Sequence, residues 1–146
     1  NLPIEELKDV AEHALRNGYS ITWDGDVSEK GFSARKSLAV YPVNASDEGR
    51  DAAFQAPQKE RKTTDADRLT AFDRWKLTDD RLMHLTGLAE DQNGMLYDQV
   101  KNSWGEIGPA NGYLYMSEAF FSYGTVSILL HKDGIPDAIK EKLGIE

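Results

Sequence analysis

Apolar residues recur at helical spacing where the chain begins, at Ile4, Leu7, Ala11, Ala14 and Leu15. Pro3, Glu5 and Glu6 suit a helix start, and Arg16, Asn17 and Gly18 suit its end, so the pattern predicts a helix over about residues 3–16. Alternation replaces that period at residues 19–23 (YSITW), which read as a strand with Asp24-Gly25-Asp26 as its turn. Residues 44–64 are charged and aperiodic, which predicts a long exposed loop or flap. Thr64-Asp65-Ala66-Asp67 then has the form of a helix N-cap, leading to Leu69, Phe72 and Trp75 on one face.

The second half is richer in strands. Residues 82–89 and 95–101 read as a hairpin about Asp91-Gln92-Asn93-Gly94, and residues 112–116 (GYLYM) and 125–131 (TVSILLH) as two further strands. A short helix over 136–143 closes the pattern, with Pro136 near its first turn and Gly144 past its end. The sum is an α+β domain of residues 1–146: an antiparallel, partly closed barrel-like sheet with three flanking helices. Its expected core is Ile21, Leu38, Val40, Leu85, Leu88, Val100, Leu114, Met116, Val126, Ile128 and Leu130.

Composition narrows the partners. A formal charge of -8 opposes association with nucleic acid or an anionic membrane, and no apolar run approaches the roughly 20 residues that span a bilayer. There is no cysteine, hence no disulfide, no thiolate metal site and no thiol nucleophile, and the redox compartment stays open. His13, His84 and His131 are scattered without ligand spacing, so no metal and no cofactor is expected. Asn44-Ala45-Ser46 matches a glycosylation sequon, a pattern with little meaning without evidence of secretion.

One constellation carries chemistry. An odd-length hairpin loop centred on Asn93 would set His84 opposite Asn102 on one face, close enough for the amide oxygen to accept from an imidazole N–H. A two-residue Asn93-Gly94 loop would set His84 opposite Ser103 instead. An Asn that holds one imidazole nitrogen leaves the other free to exchange a proton with a nucleophile, as in a catalytic triad. A lone strand histidine is usually a packed or surface residue. The reciprocal Asn102 and the run VKNSWGE at 100–106 favour the catalytic reading, with Trp104 placed to shield the His–Asn contact from water.

His84, then V-K-N-S-W-G, then Gly112-Tyr113-Leu114-Tyr115-Met116 resemble the C-terminal half of papain-like cysteine peptidases. ALRNGYSITWDGDV at 14–27, DADRLTAF at 65–72 and MHLTG at 83–87 are similar to the bleomycin hydrolase or aminopeptidase C branch. The resemblance implies that His84 is general base and acid and Asn102 its orienter. It implies that Met83 and Leu85 border the cleft, Met83 offering its carbonyl to the substrate backbone. It also implies a peptide substrate, aminopeptidase specificity, a cytoplasmic setting and a homo-oligomer, hexameric in that branch.

The sequence departs from the family where the nucleophile should be. The family's Cys and oxyanion-hole Gln belong to an N-terminal half expected upstream of Asn1, and Gln55, Gln58, Gln92 and Gln99 lie in the wrong half to replace that Gln. The chain alone is therefore expected to be inactive, with the missing half as its partner. The branch's specificity-setting C-terminal tail has no obvious counterpart in the final Lys142-Leu143-Gly144-Ile145-Glu146, so trimming from the N-terminus is less secure than peptide hydrolysis. The rival reading is a catalytically dead homologue that binds peptide or protein. A domain built to face a partner should also leave one sheet face apolar and open, or covered by another copy.

Overall fold

In the computed structural model, which describes residues 1–146, helix α1 (Ile4–Arg16) begins after Pro3 and buries Ile4, Val10, Ala11, Ala14 and Leu15. The chain continues through β1 (Ile21–Gly25) and the short β2 (Phe32–Ser33) and β3 (Leu38–Ala39). Helices α2 (Asp47–Gln55) and α3 (Asp65–Asp73) precede the hairpin of β4 (Arg81–Glu90) and β5 (Leu96–Lys101). Strand β6 (Tyr113–Ser117), helix α4 (Glu118–Gly124), β7 (Thr125–Leu130) and α5 (Asp137–Leu143) complete it.

All seven strands form one sheet in the order β2-β3-β6-β5-β4-β1-β7, antiparallel except for β3 beside β6. The class is the expected α+β. The sheet is open, however, and not closed into a barrel: β2 and β3 span two residues each, too few ladder positions to carry the curl round to β7.

One face of the sheet is the core. Ile21, Trp23, Leu85, Val100, Leu114 and Met116 point to the same side by strand alternation and are almost fully buried, against Phe120 and Phe121 of α4 and the apolar face of α1. Trp23 is fully buried and its indole N–H donates to Thr125 Oγ1 at 2.8 Å, which removes the penalty of an unpaired buried donor. Of the expected core, Leu38, Leu88, Val126, Ile128 and Leu130 are only half-buried. For the last three the reason is position: β7 is an edge strand with a neighbour on one side only.

Two helices differ from the sequence reading. Residues 47–55 form α2 inside the expected loop, capped by Ser46, whose hydroxyl accepts from Gly49 N at 3.1 Å. Helix α4 is seven residues long, capped by Ser117, and too short to show a helical period. Asp24 and Gly25 belong to β1, and the turn starts at Asp26, whose carboxylate accepts from Ser28 N at 2.6 Å and Thr78 N at 2.9 Å. The predicted cap of α3 is a full capping box between Thr64 and Asp67, but Leu69, Phe72 and Trp75 remain exposed and Ala71 supplies the buried contact.

Candidate active site

The hairpin loop runs from Asp91 to Met95, tied by Asp91 Oδ1, which accepts from Asn93 N at 2.8 Å and Met95 N at 2.9 Å. It has odd length and is centred on Asn93, so Glu90↔Leu96 through Gly87↔Gln99 follow the first of the two registers weighed from the sequence. A bulge between Leu85 and Gly87 then shifts the ladder by one residue. His84 consequently faces Lys101, not Asn102 or Ser103.

The shift defines the surroundings of His84. On its other side it faces Thr22 of β1, which faces Leu129 of β7, and Lys101 faces Tyr113 of β6, so one row crosses five strands on the open face. The Lys101 ammonium lies 5.1 Å from the centre of the Tyr113 ring. His84 itself is exposed. Among the three histidines it alone has no hydrogen bond: His13 Nδ1 pairs with Gly134 O at 3.0 Å, and His131 Nδ1 accepts from Asp133 N at 3.3 Å.

Asn102 is one residue past the end of β5 and only 5% exposed. Its N–H donates to Gly112 O at 3.1 Å and its Oδ1 accepts from Ser103 N at 2.7 Å, while Nδ2 is buried without a partner. No hydrogen bond joins it to His84. Trp104, expected over a His–Asn contact, instead carries the Arg81 guanidinium at 4.5 Å from its ring centre and meets Phe32 edge-on at 6.1 Å.

Met83 and Leu85 are 4% and 0% exposed and point into the core. Their side chains cannot border an open cleft on the His84 face, because alternate residues of a strand point to opposite sides. The backbone of Met83 is different. The β5 ladder stops at His84↔Lys101, so from Met83 to Arg81 strand β4 is paired on the β1 side only.

Two carboxyl groups were not singled out by sequence. Asp24, on the His84 face facing Leu82, has its carboxyl raised above the usual range by burial and then by the nearby Asp79. Asp98 faces Leu88 and Met116 from the core side, and burial pushes it up to about 7, with repulsion from Glu118 and Glu12 added. Both lie in strands, where a single Asp gives no sequence signal of its environment. No group of three His, Cys, Asp or Glu residues is placed to hold a metal ion.

Comparison with known proteins gives the family of the chain. A model described as the Peptidase C1-like family matches residues 1–146. Bleomycin hydrolase of Rattus norvegicus is 30% identical over 142 residues, a match covering 95% of this chain and 29% of that protein. The Homo sapiens bleomycin hydrolase is 28% identical over the same length and with the same shares. Among solved structures, PepW from Lactobacillus rhamnosis HN001 superposes with a TM-score of 0.64 at 25% identity, covering 99% of this chain and 31% of that one. The chain thus spans under a third of the length of the relatives it matches.

Proposed function

This chain belongs to the peptidase C1-like family, and from that premise we propose that it is the His- and Asn-bearing part of a cysteine peptidase that hydrolyses peptide bonds, most simply from the N-terminus. The observation that carries the reading is His84: exposed, free of any structural hydrogen bond, and one ladder position from Asn102, while the other two histidines serve the fold. The thiol comes from a second domain, since this chain has none.

In the assembled enzyme His84 takes the proton of the cysteine thiol, and the resulting imidazolium stabilises the thiolate. The thiolate attacks the peptide carbonyl, His84 returns the proton to the leaving amine, and a water activated by His84 releases the acyl group and restores the thiol. Asn102 Oδ1 has a second lone pair beyond its bond to Ser103, and an accepting contact from the imidazole would fix the tautomer. The bond requires the Asn102 side chain to turn toward β4, with which its pairing has ended, while its backbone stays tied to Gly112 O. Met83 contributes through its backbone on the unpaired side of β4. Leu85 serves the core beneath.

The test is co-expression with the upstream, cysteine-bearing segment of the parent protein, followed by assay of an aminoacyl fluorogenic substrate. Thiol-dependent hydrolysis should fall by at least about 10³-fold in His84→Ala and roughly 10–100-fold in Asn102→Ala. A correctly folded assembly silent on aminoacyl and internally cleavable peptides alike would instead favour the binding homologue.

A further inference from the structure

We propose that Arg81 is a positioning residue, clamping the turn that carries Asn102 onto strand β4 through its stack on Trp104. The inference rests on the catalytic reading of His84 and Asn102 above. Ladder pairing between β4 and β5 ends at His84↔Lys101. Extending that register by three residues sets Trp104 opposite Arg81, and there the guanidinium meets the indole at 4.5 Å. A side-chain contact thus takes over the role of the ladder where its hydrogen bonds stop.

Three further observations single out this arginine. It makes no salt bridge, although Asp79 and Asp80 precede it directly in the chain. Its Nε is buried without a hydrogen-bond partner, a cost that a well-placed planar stack can offset. Its cross-strand partner on β1 is Gly25, which offers the guanidinium no side chain of its own, the place of a Cβ being filled by the Trp23 ring and Gly124 O. Trp104 in turn meets Phe32 edge-on, and Phe32 packs against the buried Phe120, so the clamp is anchored to the core. Between His84 and the end of β4, Arg81 is the residue that holds the Asn102 turn from the β4 side.

Hydrogen exchange of the 146-residue chain tests the clamp. In Arg81→Met the Trp104 indole N–H and the Asn102 backbone N–H should exchange roughly tenfold faster, as expected for losing a partly desolvated cation–π contact, with Val100 and Leu114 unchanged. Arg81→Lys, which keeps the charge without the planar fork, should recover part of the protection. No change at residues 102 and 104, or an equal rise throughout the sheet, overturns the proposal. If Arg81→Met does not fold, Trp104→Phe replaces it: the smaller ring should also speed exchange at Asn102, and unaltered exchange there is equally fatal.

In the assembled enzyme Arg81→Met should lower kcat more than it raises KM and displace the pH profile, with Arg81→Lys intermediate. Hydrolysis that survives His84→Ala removes the catalytic reading whatever the exchange data show. Hydrolysis lost in His84→Ala but intact in Arg81→Met removes the clamp alone.

Discussion

An aspartate in the middle of β5 couples folding to the binding of a proton. Asp98 lies between Leu88 and Met116 and borders a cavity of about 210 Å³ shared with Glu5, Lys8, Asp9, Glu12 and Glu118. The one lysine there is engaged by Glu5 and Glu118, so it leaves Asp98 unneutralised. A carboxyl held near 7 in the folded state, against an ordinary value of 3.8, retains its proton after the unfolded chain has lost it. The contribution of Asp98 to stability therefore falls as pH rises from about 4 to about 7 and levels off above, where both states are ionised. Asp98→Asn should be more stable than the parent at pH 8 by roughly 2–4 kcal/mol, the difference vanishing near pH 4, as read from urea midpoints at several pH values.

At the scale of elements, the junction of α4 and β7 shows how the edge strand is held. Thr125 Oγ1 accepts from the Trp23 indole and donates to Phe121 O at 2.6 Å, and the Arg68 guanidinium donates to the carbonyls of Ser122, Tyr123 and Thr125. Thr125→Val keeps the volume but leaves the buried indole N–H unpaired. It should cost about 1–3 kcal/mol, visible as a lowered Tm without loss of β-sheet circular dichroism. The same scale explains which elements the sequence displayed. Helix α1 carries a long apolar period and the β4–β5 hairpin a strong turn. Helices α2 and α4 show instead serine caps, at Ser46 and Ser117, followed by runs with no usable period.

For the whole molecule, the apolar surface is divided. Leu82 and Leu129, 62% and 71% exposed, flank His84 and Thr22 on the open sheet face, and Leu69, Phe72 and Trp75 form a separate patch along α3 and just beyond it. The open face is thus mixed, with Lys101 and Thr86 among its members, where the sequence led us to expect an unusually apolar face, open or covered by another copy. If the cysteine-bearing domain seats on this face, oxidative footprinting of Leu82 and Leu129 should drop several-fold on co-expression with it. The α3 patch should stay reactive in the same experiment. Equal labelling with and without the partner would place the domain contact elsewhere.

The sequence by itself determined the α+β class, the first helix, the hairpin with its odd-length loop, and the family, because each rests on local periodicity, turn chemistry or a contiguous motif such as VKNSWGE. It also marked His84 and Asn102 as the residues to watch. Only the tertiary structure decided that a bulge at Thr86 sets His84 against Lys101, that Met83 belongs to the core, and that Arg81 takes Trp104. A bulge resets side-chain alternation and moves every later pairing by one at a point that no turn residue marks in advance, and a stack between a strand end and a turn has no sequence period at all. Those features arise from the competition of several strands for one core, which no single segment encodes.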